Sequence, residues 1–371
     1  MQRSYQIFGK DIKINTMDSI EGKILHDELV LYPVSNKDHY DVLINYVSEI
    51  EMDKALSVNP SLNCLHSDSM VFKMGAATAR FYFKDYHLRK IDFSIDGNTK
   101  IRNTVQKWKS IQYASNYEAI GQLFHELILV PMAFLFDDCS IVHSSGVINN
   151  KDKAVLFGGT GGVGKTSLEM TLCLDHECSF FNDDIAVINS NGSCYPNFSY
   201  PKIYGYNLEG NPNLKKKIMS QLSPFDKIHY ALHSLKGKNK VRRRVQPETF
   251  YGKVANTPKK VSSFVILFRN KIDKITLESI SAQKASALNS IIISSEYNIF
   301  FNHLKWHSFN SYSLNREPFT TYQSIIEKNK DNLEKSIRGL DQVYIAHIPL
   351  KISNNDYKTQ MVNILKEYKI I

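Results

Sequence analysis

The residues Gly159-Thr160-Gly161-Gly162-Val163-Gly164-Lys165-Thr166 crowd glycines, a lysine and a hydroxyl into a short run with the spacing GxxxxGK[ST]. That spacing suits the phosphates of a nucleoside triphosphate. Glycines let successive backbone N–H groups turn toward one anion with no Cβ in the way. A helix starting at Lys165 aims its positive end at the same charge. The Lys165 ammonium then reaches the β- and γ-phosphates, and the Thr166 hydroxyl is a ligand for Mg²⁺. Gly159 through Ser167 are the expected nucleotide-binding residues, and ATP and Mg²⁺ the expected cofactors. The apolar Ala154-Val155-Leu156-Phe157 before the loop and the helical pattern after it supply the strand–loop–helix context the motif requires.

Asp183 and Asp184 follow the apolar Phe180-Phe181. A loop of this kind needs a nearby acid to hold Mg²⁺, and Asp183 fits that role. Transfer to a hydroxyl also wants a carboxylate on the acceptor, which falls to Asp184. Adjacent strand residues point to opposite faces, so two carboxylates share a site only at a strand end. An exposed polar turn is the structural alternative for this pair.

Several elements must position these groups. Tyr5–Asn15 and Glu28–Val34 have strand composition, and Ala79–Phe83 and Leu88–Ile95 alternate as strands, with a turn at Gly97-Asn98. From Tyr117 to Phe136 the pattern turns helical, with Ile120, Leu123, Phe124 and Leu127 facing a core. The polar run Asn98, Thr99, Lys100, Arg102 and Asn103 marks a boundary, giving a β-rich domain over 1–110 and a second domain over 111–371. Ser140–Ile148 and Ala154–Phe157 read as strands around a turn at Asn149–Asp152, and Lys165–Leu174 as a helix. Further strands follow at Ile185–Ile188, Ser262–Phe268 and Val343–Ile348, with a terminal helix over Tyr357–Lys366. Pro196, Pro201 and Pro212 break the region between. The fold class is α/β, with α+β character overall.

The chain has 371 residues, 43% hydrophobic and 22% charged, with 20 Tyr and 20 Phe, which is the make-up of a folded globular protein. No run approaches the ~18 apolar residues of a spanning helix, and the N-terminus lacks the apolar stretch of a signal peptide, so the cytoplasm is expected. The five cysteines form no CxxC pair and read as reduced and structural. A net charge of +9 favours anionic partners without choosing one.

The succession also resembles the HPr kinase/phosphorylase superfamily, whose core is similar to that of phosphoenolpyruvate carboxykinases. The resemblance runs over roughly 140–270. It begins with Val142-His143-Ser144-Ser145-Gly146-Val147 and continues through the loop, Asn182-Asp183-Asp184 and Tyr200-Pro201-Lys202-Ile203-Tyr204-Gly205, then more loosely Arg243-Arg244-Val245-Gln246-Pro247. It implies a P-loop kinase domain in which Lys165 binds phosphate and Thr166 and Asp183 hold Mg²⁺. Asp184 would be the base and His143 would lie beside the transferring phosphate. By itself, His143 reads equally as a core histidine. Lys202-Ile203-Tyr204-Gly205-Tyr206-Asn207 replaces the family's Glu-Ile-Arg-Gly-Leu-Gly, which points away from HPr as acceptor and from phosphorolysis. The HPr-kinase-related proteins that phosphorylate serine in peptides, or a free amino acid, are a closer match.

Lys236, Lys238, Lys240, Arg242, Arg243 and Arg244 form a basic stretch. One reading is a lid whose Arg243 and Arg244 close on the γ-phosphate. Others are a docking patch for an acidic peptide or a solvated loop. No aromatic residues interleave with the charges, which argues against nucleic acid. The expected reaction is Mg²⁺-dependent transfer of the ATP γ-phosphoryl group to a serine or threonine hydroxyl on a peptide, or to a small molecule. A nucleotide switch or ATPase and a carboxykinase-like enzyme are the rivals, and a homo-oligomer is left open.

Overall fold

Tyr5–Asn15 carries strand composition but folds as a hairpin, in a computed structural model that describes residues 1–59, 63–95, 116–209 and 212–371. Phe8 and Gly9 take φ of 53° and 78°, a two-residue turn that folds β1 (Gln2–Ile7) back on β2 (Lys10–Asn15). Glu28–Val34 is not a strand. Ser19 caps a helix over Ile20–Glu28 by accepting from the Gly22 N–H, and its last turn takes up Glu28. Val34 makes only an isolated bridge to Tyr5.

Six more strands complete an eight-stranded sheet in the order β1-β2-β3-β8-β7-β6-β5-β4. They are β3 (Val42–Tyr46), β4 (Ser57–Asn59), β5 (Asn63–Leu65), β6 (Ser69–Met74), β7 (Ala77–Lys84) and β8 (His87–Ile95). The strands expected at 79–83 and 88–95 are present as β7 and β8. The turn at Gly97-Asn98 and the division at 110/111 lie outside the described residues.

The helix expected over 117–136 forms as Asn116–Phe124 and Val130–Phe134, joined by a π-turn at His125–Leu129. The wider turn advances the apolar face. Ile120 and Phe124 are buried as expected, but Leu123 and Leu127 are only half-buried, and Ile128 and Leu129 take the core positions. Pro131, which brings no N–H to the helical ladder, follows this turn.

The second sheet carries the motifs. Its strands are β9 (Cys139–Val142), β10 (Ser144–Ile148), β11 (Ala154–Gly158), β12 (Ser179–Asn182), β13 (Ala186–Asn189) and β14 (Ser193–Tyr195). After a separate pair, β15 (Lys202–Tyr204) and β16 (Arg242–Arg244), come β17 (Lys259–Asn270), β18 (Thr276–Ser279) and β19 (Gln342–Pro349). The order is β12-β10-β11-β17-β14-β13-β9, with β19 and β18 added beside β17. Ser140–Ile148 is therefore two strands, broken at His143. Below the break β9 pairs with β13; above it β10 pairs with β11 and β12. The free edge of β9 is satisfied by side-chain amides, since Asn289 and Asn329 from two covering helices both donate to Ile141 O.

One apolar cluster runs from Tyr5 in β1 to Leu365 in the last helix, Asn354–Glu367, so the two sheets share a core. Polar ties reinforce it. Asn63 of β5 bonds to His303 O and accepts from Asn310. Glu28 forms a two-pronged ion pair with Arg244, at 2.8 and 3.0 Å, with both side chains almost fully buried. Replacing Glu28 with alanine removes the carboxylate that Arg244 meets on both prongs, and we expect a loss of about 3–5 kcal/mol of folding stability in chemical denaturation. A loss below about 1 kcal/mol, as for an exposed pair, would refute this.

All five cysteines are buried free thiols, and burial pushes Cys139 up to about 12 and Cys178 to about 11, which keeps them neutral. Among the described residues no helix is long and apolar enough to cross a membrane.

Candidate active site

Strand β11 delivers the glycine loop to the start of the Lys165–Asp175 helix. Two glycines are required sterically. Gly159 (φ 136°) lies where a Cβ would meet Leu267 O at 2.7 Å, and Gly164 (φ 113°) where one would meet the Tyr357 ring at 2.7 Å. Tyr357 also donates its hydroxyl to Gly164 O, so the last helix braces the loop from behind. Val163 turns its side chain into the core. Gly161, Gly162, Gly164, Lys165, Thr166 and Ser167 line a cavity of about 330 Å³. Lys165 is buried, and its ammonium donates to Gly159 O at 2.9 Å and Thr160 O at 3.0 Å, across the mouth of the loop. Burial lowers its pKa against the pull of Asp184 and Asp183. Ser167 accepts from the Asn207 amide at 2.9 Å and sits behind the loop.

The carboxylates lie immediately past the end of β12. Asp184 takes φ 62°, a left-handed conformation that aspartate tolerates, and this lets both acids face the loop side. Asp183 accepts from Thr166 Oγ1 at 3.2 Å and Ser145 Oγ at 3.0 Å. Burial, then the Asp184 charge, raise its carboxyl to about 6. Asp184 meets the Lys202 ammonium at 3.4 Å. Burial works to raise it, but Lys202, with Lys165 behind it, prevails and holds it down at about 2. Lys202 pairs on its other side with Glu126, delivered by the π-turn.

His143 sits at the break between β9 and β10. Its N–H donates to Asn289 Oδ1, and its ring Nδ1 lies 2.6 Å from Gly159 O. A carbonyl cannot donate, so Nδ1 carries the hydrogen. Burial and Lys165 lower the ring's pKa, which keeps it neutral and leaves Nε2 as an acceptor.

The expectation for Arg243 and Arg244 needs correcting. The basic stretch is no lid, because Arg242–Arg244 is strand β16, paired with Lys202–Tyr204. Arg243 is buried against His229 and the Asp226 carbonyl, and Arg244 is committed to Glu28. It is Arg242 that lines the loop cavity, with its guanidinium on Tyr204 Oη at 2.7 Å. Lys236, Lys238 and Lys240 are exposed.

A second cavity of about 410 Å³ adjoins the first. His143, Asp183, Asp184, Lys202, Arg242 and Glu296 line both, so the charged residues form the wall and doorway between them. Sequence reasoning had missed Ser145, Arg242, Glu126 and Glu296, and had read Lys202 only as a departure from the family pattern. Ser145 and Lys202 fall inside quoted segments, whereas the two glutamates sit in a helix and a π-turn with no motif to mark them.

Thr166 and Asp183 present two oxygens side by side, which suits Mg²⁺, an ion that keeps waters and substrate phosphates as its other ligands. Protons compete for Asp183. We expect the Mg²⁺ requirement of turnover to steepen as pH falls through about 6, where the carboxyl protonates and metal binding is lost. Asp183→Asn should lose that extra acid dependence and recover partly in high Mn²⁺. An unchanged acid dependence in the variant would contradict the assignment.

No family model matches the chain, and no curated protein matches it. Among solved structures it is similar to the Hpr(Ser) kinase/phosphatase from Coxiella burnetii, at 15% identity and a TM-score of 0.21, over 38% of this chain and 72% of that one. At that TM-score the likeness carries no weight for function, which is read below from the site itself.

Proposed function

We propose that the chain is a Mg²⁺-dependent kinase that transfers the γ-phosphoryl group of ATP to a hydroxyl, of serine or threonine in a peptide or of a small molecule. One observation carries this reading. An ionised carboxylate, Asp184, stands between a phosphate loop and a second cavity, with a fixed cation against it. An ATPase needs no second chamber there; a transferase does.

In this reading the loop amides, the helix N-terminus and Lys165 hold the triphosphate. Thr166 and Asp183 would hold Mg²⁺, which neutralises phosphate charge when bound. The acceptor hydroxyl comes from the second cavity and gives its proton to Asp184 as its oxygen bonds to the γ-phosphorus. The bond from that phosphorus to the β–γ bridging oxygen breaks, and ADP leaves. Neutral His143 lies beside the loop and orients without adding charge. Lys202 and Arg242 place positive charge at the doorway, where the phosphoryl group gathers negative charge.

Lys202 stands where the resembling kinases carry a metal-binding glutamate. An ammonium there cannot ligate a metal, which supports an enzyme that does not act on HPr. We assign residues 1–110 and 111–371 as its two domains, with the N-terminal sheet helping to wall the second cavity through Met74.

Incubation with γ-labelled ATP and a mixed pool of hydroxyl compounds and serine peptides is expected to yield a stable phosphate ester. Label found only in inorganic phosphate, whatever the acceptor, would reject the kinase reading in favour of a hydrolase.

A further inference from the structure

The second cavity has a chemical character of its own. We infer that it admits a small hydroxyl compound bearing an ammonium group, in preference to hydroxy acids, neutral polyols or peptides. This rests on the kinase reading and narrows its acceptor.

Size is the first ground, since about 410 Å³ is in the range of small-molecule sites. Charge is the second. The Lys202 ammonium is already matched by Asp184 and Glu126, and Glu126 also accepts from the Gln122 amide on both oxygens. Glu296, at the end of the Ala282–Glu296 helix, lines both cavities, and its carboxylate makes no hydrogen bond or ion pair among the described residues. Arg242 is the remaining cation of the wall. It leans on the Tyr204 ring and hydroxyl at the loop side, where the phosphoryl group passes. Glu296 is exposed and shares the field of Lys165. An acceptor therefore meets four carboxylates, Glu126, Asp183, Asp184 and Glu296, against Lys202 and Arg242, and a carboxylate-bearing acceptor meets repulsion. Tyr297 and Phe300 add ring surface to the same wall, which favours an ammonium over a hydrated anion.

The third ground is independent of the acids. His125 is 1% exposed, is held by the π-turn and lines the cavity, yet neither ring nitrogen completes a hydrogen bond in the structure. Glu28 is 3.9 Å away, and Asn197 is close by. Burial and the nearby Arg244 keep the ring neutral. With Nε2 turned toward Glu28, which does not line the cavity, the ring has one nitrogen left for a polar but uncharged part of a ligand. A buried polar group with unused hydrogen-bonding capacity facing a cavity is what a binding site leaves for its ligand. The geometry fits a compound whose hydroxyl meets Asp184, whose ammonium meets Glu296, and whose remaining polar group meets His125.

The test compares ethanolamine, glycerol, glycolate and a serine-containing hexapeptide as acceptors with ATP and Mg²⁺, reading ADP and the mass of each product. Ethanolamine is expected to exceed the other three by about tenfold or more in kcat/KM. Glu296→Gln should raise the KM for ethanolamine about tenfold without a matching rise for glycerol, and Glu296→Lys should shift preference toward glycolate. 2-Amino-1,3-propanediol, which keeps the hydroxyl and ammonium of ethanolamine and adds a polar group for His125, should have a lower KM than ethanolamine, and His125→Phe should remove that advantage. If glycolate, glycerol or the peptide is phosphorylated as well as ethanolamine, or if Glu296→Gln weakens all acceptors alike, the inference is overturned while the kinase reading stands. If ATP is cleaved with no phosphate on any acceptor, the kinase reading itself fails, and the inference with it.

Discussion

Replacing Asp184 with asparagine is expected to slow phosphoryl transfer by about 10²–10⁴, the usual cost of losing a general base, with ATP·Mg²⁺ affinity almost unchanged. The substitution keeps size and shape and removes only the charge that meets Lys202 at 3.4 Å. Asp184 lies at the doorway between the two cavities and makes no hydrogen bond to Thr166, so its loss touches the acceptor step. Asp183 has the opposite profile, because its oxygen is shared with Thr166 and Ser145 on the loop side. Its asparagine variant should lose metal-dependent binding first. Two neighbouring acids thus fail in different ways: one through turnover at saturating nucleotide, the other through the Mg²⁺ requirement. Equal loss of nucleotide binding in both variants would contradict this division. So would full activity in Asp184→Asn, since among the described residues the other carboxylate against Lys202 is Glu126, already held in its own pair.

The parts of this site that were legible in the sequence are those set by local steric need. The strand–loop–helix at Gly159–Thr166 can be read directly, because glycines at fixed positions stand between an apolar strand and a helical pattern. The acids were legible for the same reason: an apolar strand that ends in two aspartates has one place to put them. The break at His143 was not legible, because Ile141-Val142 and Val147-Ile148 carry strand composition on both sides of it. What divides the two strands is tertiary, with Asn289 seizing the His143 N–H while β9 and β10 pair with different neighbours. The π-turn at His125–Leu129 was equally hidden, since one extra residue in a turn shifts the buried face without changing composition. The basic stretch misled because charge density carries no direction. Strand pairing buries Arg243 on one face, while from the other face Arg242 reaches the cavity and Arg244 reaches Glu28. Glu28–Val34 shows the same limit of composition: Glu28 closes the Ser19-capped helix and Leu29–Leu31 turn after it.

The most direct test of the account is calorimetric titration of ATP with Mg²⁺ into the wild-type chain and into Lys165→Ala, each checked for an intact thermal transition. Lys165 is buried, and its ammonium lies across the loop mouth on two carbonyl oxygens, held there by backbone that also presents the N–H groups. Its charge is the single strongest complement to the β- and γ-phosphates, and alanine leaves the glycine geometry in place. The account predicts saturable binding in the wild type and loss of measurable tight binding in a folded variant. Unchanged affinity in folded Lys165→Ala would contradict it, because the nucleotide would then be held somewhere other than the Gly159–Thr166 loop.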